Sequence, residues 1–246
     1  YLFEKNMDHI IQTDLHKIRM PALQPYTIWH AAYQDSYYLP FRNKNIKVVL
    51  SVHDLNFMYD PSKSKFKKQR NLSRLQMLIN RADVIICMSE YTKNDVEFYG
   101  DTANKPLHVI HNGTNTLTEP QLLNRSYFPA KPFIFSIGTI LPKKNFHSLL
   151  PLVQGQEQME LVIAGRIDDV DYYQSILDTA AAMGISKNIK IVGPVSESEK
   201  SWYFTNCYAF AMPSTAEGFG LPVTEAMSVG KPLFLSGKTA LPEIGG

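Results

Sequence analysis

Short runs of apolar, often β-branched residues recur along the chain, separated by stretches in which apolar positions fall three or four apart. That alternation predicts βαβ units wound around parallel sheets. Two series of strands are expected. The first comprises residues 26–32 (YTIWHAA), 46–54 (IKVVLSVHD), 82–90 (ADVIICMSE) and 107–113 (LHVIHNG), with a helix over 67–81 and another opening at Ser89. The second comprises residues 132–138 (PFIFSIG), 159–165 (MELVIAG), 189–193 (IKIVG), 207–214 (CYAFAMPS) and 231–237 (KPLFLSG), with helices over 144–153 and 222–229. Between them, residues 114–132 are polar, proline-bearing and without periodicity, as an interdomain connection would be. The chain therefore divides into an N-terminal domain over 1–120, a linker over 121–131 and a C-terminal domain over 132–246. Each series is short for a doubly wound sheet of about six strands, and PEIGG falls where a further element should begin, so both domains are expected to be truncated.

Composition narrows the class only slightly. With 44% hydrophobic residues among 246, the chain can bury a core, and a net charge of +2 argues against nucleic acid as a partner. Cys87 and Cys207 sit in apolar runs and are expected to be buried and reduced, which places the chain in the cytoplasm. No apolar run approaches the roughly 20 residues of a membrane span, and the first residues lack both a signal-peptide pattern and an initiator Met.

The residues with chemical potential cluster where strands end. In open α/β sheets the ligand crevice lies outside the carboxyl ends of the strands, so the loops after Gly138 and Ser214 should converge. In PSTAEGFGLPVTEAMSVGKP, Pro222 suits the first turn of a helix and Gly230 its end. Gly218 and Gly220 permit a tight path, so the N–H groups of Phe219, Gly220 and Leu221 can face an anion or a hydroxyl. Glu217 and Glu225 flank this cradle and can accept hydrogen bonds from the hydroxyls of a sugar or ribose. The plainer alternative is a solvated Glu217 and a Glu225 that only complements the helix dipole.

EGFGLPVTE resembles the E-x7-E signature of retaining glycosyltransferase family 4, with Glu217 and Glu225 as its carboxylates. The likeness extends over residues 26–246 and is strongest from 132 onward, through FIFSIGTILPKKN, LVIAG, KIVGPVSESE and the whole block from Pro213. IWHAAYQDSYYLP, VVLSVHDL, DVIICMSEYTKNDV and HVIHNG are also similar to the family. This resemblance implies an α/β protein of the GT-B fold: two Rossmann-like doubly wound parallel-sheet domains facing a cleft. It implies a nucleotide-sugar donor, no cofactor and no metal. Lys144 would hold the donor diphosphate, with Gly138, Thr139 and Lys143 beside it; many relatives carry Arg where this chain has Thr139. His53 would meet the transferred sugar, Glu217 and the amides of Phe219, Gly220 and Leu221 would hold it, Glu225 would read the ribose, and Val195 would lie beside the base.

Other features allow several readings. Asp54 orients the sugar, binds the acceptor or caps a turn, and His111-Asn112-Gly113 reads first as a tight turn. Arg166 either reaches a phosphate or pairs with Asp168 or Asp169. Those aspartates, with Asp171, imitate a metal-binding D-x-D but fit helix capping better. Residues 63–74 carry six basic side chains and no acid, either a solvated face or a peripheral contact with anionic membrane at the inner face of the plasma membrane. No P-loop, dinucleotide fingerprint, nucleophile elbow or zinc spacing occurs.

The expected activity is transfer of a hexose from a nucleoside diphosphate sugar to a glycan or lipid-linked acceptor, with retention of anomeric configuration. Thr139 and the shortness of both domains favour an alternative, a non-catalytic nucleotide-sugar-binding or scaffolding protein. A nucleotide-sugar epimerase on the same scaffold is a third reading.

Overall fold

The computed structural model describes residues 15, 20, 23, 26–36, 38–117 and 127–246. Two parallel sheets organise it. The first contains β1 (Ile28–Ala31), β2 (Lys47–Val52), β3 (Val84–Cys87) and β4 (Leu107–Val109), side by side in chain order. The second contains β5 (Phe133–Ile137), β6 (Glu160–Ala164), β7 (Ile189–Gly193), β8 (Ala209–Met212) and β9 (Leu233–Leu235), in the order β7-β6-β5-β8-β9. The winding thus reverses between β5 and β8, and the loops leaving those two strands border the crevice that such a reversal opens. Residues 118–126, most of the expected linker, lie outside the described residues.

Local chemistry accounts for the helix starts. Ser64 caps α2 (Lys65–Arg81), its hydroxyl accepting from the N–H of Lys67, and Ser89 caps α3 (Glu90–Tyr99) by accepting from Thr92. Asp169 caps α4 (Val170–Ala182) through the N–H of Tyr172, so the acidic run serves the helix, as its sequence suggested. A capping box of Ser196 and Glu199 opens α5 (Glu197–Asn206). Gly220, with φ of 97°, precedes α6 (Leu221–Ser228), whose first turn holds Pro222. The short α1 (Asn56–Tyr59) and α7 (Leu241–Gly245) complete the described helices.

The helix expected over 144–153 is instead a 3-10 turn at Pro142–Lys144, a left-handed Asn145, and a 3-10 run over Phe146–Val153. Pro151 explains the difference, since it lacks an N–H and its ring crowds the preceding turn of an α-helix. Phe146, Leu149, Leu150 and Val153 still reach the core, because a three-residue repeat sets them in two adjacent rows, 146 with 149 and 150 with 153.

The second sheet is covered on both faces. Phe135, Tyr203, Phe204 and Phe210 pack on one side, and Ile134, Leu150, Leu161, Ile163 and Ile176 on the other. The first sheet packs Leu50, Val52 and Ile85 against Leu75, Leu78 and Val96. Cys87 and Cys207 are free and buried, and burial pushes their thiols up to about 12 and about 11. Among the described residues, no helix is long and apolar enough to cross a membrane.

Candidate functional site

Strand register sets the site. Ile137 pairs with Ala164, and in the first sheet Val52 pairs with Cys87 and Cys87 with Val109, so the loops that follow emerge side by side. Lys144, from the loop after β5, meets Glu217, from the loop after β8: Nζ lies 2.5 Å from Oε1, and both side chains are largely buried. The stem of Lys144 crosses Gly138, where an added Cβ would come within 3.2 Å of Cε. Thr139 is half-buried beside it. The two groups assigned to diphosphate and sugar are therefore in direct contact.

Gly218 is one of the places where the two halves touch. A Cβ at this position would lie 2.0 Å from the carbonyl oxygen of His53 and 2.6 Å from Cβ of Asp54. Its own carbonyl accepts from the Ser89 hydroxyl at 2.8 Å. Only glycine allows the backbones this close. Phe219 is buried, with its ring centroid 5.6 Å from that of His111, and Leu221 is partly exposed at the start of α6, where helical N–H groups have no earlier carbonyl to bond. Val195 packs at the edge of the second core.

His53 stands at the end of β2. Its Nε2 donates to the carbonyl of Ala32 at 2.7 Å, which leaves Nδ1 as the acceptor nitrogen. Gln34 clamps the turn: its Oε1 accepts from the His53 N–H, and its Nε2 donates to the Asp54 carbonyl. Gln34 is buried, a role that its position in a polar loop did not disclose.

Glu225 is buried and already engaged. Its Oε1 accepts from Lys200 Nζ at 2.9 Å and from Asn115 Nδ2 at 3.0 Å, the latter reaching across from the other half. Burial alone would lower the pKa of Lys200, but hydrogen bonds to Glu197 and Glu225 outweigh it and raise the value. Neither Lys200 nor Asn115 was anticipated, because their partner is far away along the chain. Residues 111–117 form no turn. Instead His111 Nε2 lies 2.9 Å from Glu243 Oε1, and Glu243 also accepts from the N–H groups of Glu90 and Tyr91. Those bonds across the two halves override the local preference of Asn112-Gly113. Burial would raise the pKa of Glu243, but its three donors pull it down.

Lys143 lines a cavity of about 660 Å³ between the halves, where the hydrogen bonds from Ser62, helped by the charges of Lys63 and Lys143, hold the Asp60 carboxyl below the ordinary value. Of the two readings of Arg166, pairing prevails: Nε and Nη2 bind the two oxygens of Asp168 at 2.6 and 2.9 Å. Among the described residues, no cluster of three or more His, Cys, Asp or Glu side chains could hold a metal ion.

A cationic group beside a helix start, with carboxylates on either side, suits a ligand carrying both phosphate and hydroxyl groups. Two family models match the chain: residues 124–245 match "Glycosyl transferases group 1" and residues 14–116 match "Glycosyltransferase Family 4". Each half of the chain thus matches a glycosyltransferase family model. It is 28% identical over 236 residues to the serotype-specific mannosyltransferase WbdA of Escherichia coli, covering 86% of this chain and 28% of WbdA. It is 24% identical over 189 residues to the O-antigen chain mannosyltransferase RfbU of Salmonella typhimurium, covering 76% of this chain and 51% of RfbU. The chain thus spans about a quarter to a half of the length of these relatives. HepE of Anabaena, solved with UDP and glucose, superposes over 80% of this chain and 55% of its own, with a TM-score of 0.66 and 21% identity. Sucrose-phosphate synthase from Thermosynechococcus elongatus superposes over 80% and 52%, with a TM-score of 0.66 and 19% identity. The chain therefore has the GT-B fold and covers about half of those two chains.

Proposed function

We propose that this chain is a family 4 glycosyltransferase that transfers a hexose from a nucleoside diphosphate sugar to a glycan hydroxyl, with retention at the anomeric carbon. The observation that carries the reading is the Lys144–Glu217 pair, set between the 3-10 turn after β5 and the start of α6. In this reading, Lys144 exchanges Glu217 for the donor diphosphate and stabilises the charge that grows there as the glycosidic bond breaks. Freed, Glu217 accepts from hydroxyls of the sugar, with the amides of Phe219 to Leu221 beside it. Glu225 takes the ribose hydroxyls, the backbone at Val195 lies beside the base, and His53 presents Nδ1 and its ring edge to the sugar. The acceptor oxygen bonds to the anomeric carbon on the face that the diphosphate leaves, and its proton departs on a phosphate oxygen. Mannose is the favoured hexose, since WbdA and RfbU are both named mannosyltransferases. No metal is required in this scheme, because a lysine and a helix start supply the positive field.

Donor turnover by Glu217→Ala and by Lys144→Ala should fall about 10²- to 10³-fold, the range for loss of one such electrostatic contact. Near-normal rates in both variants would remove the site assignment.

The acceptor is proposed to be lipid-linked, with contact to an anionic membrane through α2. Lys63 lies over the Phe57 ring, Lys68 bonds the Met58 carbonyl, and Arg74 pairs with Asp35. Lys65, Lys67 and Arg70 remain exposed around Phe66, which is 77% exposed. An exposed aromatic side chain with basic neighbours along the helix suits a headgroup layer. Binding to phosphatidylglycerol vesicles should weaken as salt rises, and binding indifferent to salt would dismiss the contact.

A further inference from the structure

We propose that Glu243 is a positioning residue: it ties the second half to the first turn of α3, and through that turn it sets the spacing between Glu217 and His53. The inference rests on the reading of those two residues as facing the same transferred sugar.

The first turn of α3 reaches both. Ser89 and Thr92 are fully buried. The Ser89 hydroxyl donates at 2.8 Å to the carbonyl of Gly218, the chain neighbour of Glu217, and the Thr92 hydroxyl donates at 3.2 Å to the carbonyl of His53. The Thr92 hydroxyl also lies 3.4 Å from the Gly218 carbonyl, so one helical turn holds the two backbones together from the side of the first half.

Glu243 grips the same turn from the second half. Its Oε1 accepts from the N–H of Glu90 at 2.8 Å and its Oε2 from that of Tyr91 at 3.2 Å, so a carboxylate on α7 meets the positive end of α3. His111 Nε2 adds a third contact at 2.9 Å. The like charge of Glu90 is offset by Lys93, 3.3 Å away.

The turn before α7 carries this hold on to Glu217. Thr239 Oγ1 accepts from the Glu217 N–H at 3.1 Å, and the Ala240 N–H donates to the Glu217 carbonyl at 3.4 Å. Thr239 takes a φ of 59°, a region costly to a β-branched residue, so the surrounding contacts must enforce it. Leu241 and Ile244 are buried and anchor α7 in the second core. Glu243 and Glu217 are thereby tied within one piece of the second half.

Apolar packing does not set such a register. Met88, Ile86 and Tyr91 of the first half also pack on that core, but contacts of this kind are non-directional and tolerate a slide. The bond from Asn115 to Glu225 comes from a stretch without helix or strand and meets the nucleoside end. Three hydrogen bonds to one carboxylate fix direction as well as distance.

The test measures turnover by the intact protein of whichever of GDP-mannose and UDP-glucose it uses. In parallel it measures the distance between spin labels at Phe98→Cys and Tyr208→Cys, exposed sites on the two halves; Cys87 and Cys207 are buried and escape labelling. Glu243→Ala should lower kcat about 10- to 100-fold, the scale for a misplacement of about 1 Å, with the donor KM within about twofold of the parent. The distribution of label distances should broaden, and thermal melting checks that the variant folds. Glu243→Gln keeps one acceptor oxygen, should lower kcat only about three- to tenfold, and carries the test should the alanine variant unfold. Glu97→Gln, which removes an exposed carboxylate from α3, should change neither readout. A parental kcat in the Glu243 variants, an unchanged distance distribution, or a donor KM that rises as far as kcat falls would overturn the assignment. Lost turnover in Lys144→Ala, with parental kcat and distances in Glu243→Ala, would sink this inference and leave the transferase reading intact. Normal turnover in Lys144→Ala, with broadened distances in Glu243→Ala, would remove the site reading and leave the tie between the halves.

Discussion

The two sheets are built to different standards. Around β5 to β9, both faces are closed by large side chains, with Phe135 stacked at 5.1 Å on Tyr203 and set edge-on to Phe204. Around β1 to β4, one face is closed by α2 and α3, whereas among the described residues the other still shows Ile28 at 63% and Ile110 at 54% exposure. The difference reappears in polar satisfaction: Asp95, on α3, holds a buried Oδ2 with no partner among the described residues. Among the described residues, the second half is thus a core closed on both faces and the first a core closed on one.

Paired substitutions test that contrast, the largest expected effect first. Phe135→Ala should cost about 3–5 kcal/mol in denaturant unfolding, because it empties a fully buried ring site, whereas Ile28→Ala should stay within about 0.5 kcal/mol. A loss at Ile28 comparable to that at Phe135 would show that the outer face of the first sheet is covered after all.

A finer probe is pH. Burial raises the pKa of Asp95 above its ordinary 3.8, the hydrogen bond from Tyr59 opposes this, and the charge of Asp54 adds to it. The folded chain then holds a proton that the unfolded chain releases, so stability falls as pH climbs from about 3.8 through the raised value. Asp95→Asn keeps an acceptor for Tyr59 and removes the titration. Its melting temperature should flatten across that window and exceed the parent's at neutral pH by an amount equivalent to about 1 kcal/mol. Parallel pH profiles for the two proteins would show that Asp95 does not titrate in this range.

Features encoded over a few residues were legible in the sequence. The strands, the cap at Ser89, the acidic cap at Asp169 and the glycine-led start of α6 all depend on neighbours in the chain. The 3-10 run was misjudged because the spacing of Phe146, Leu149, Leu150 and Val153 is that of an α-helix, and Pro151 overrides it. At the site, the lysine and both glutamates could be named from EGFGLPVTE and LPKKN. Gln34, Asn115 and Lys200 could not, since each acts on a residue brought close only by tertiary folding. The turn expected at Asn112-Gly113 failed for the same reason, as His111 and Asn115 both bond the opposite half.

The closed Lys144–Glu217 pair also bears on how a catalytic cycle would end. In the proposed scheme a spent nucleoside diphosphate would occupy the ammonium but bring no sugar hydroxyl to the carboxylate. Glu217 would then compete for its former partner, and re-formation of the internal pair would favour departure of the by-product. The cleft would supply its own counter-ion, so product release and readiness for the next donor would become one event.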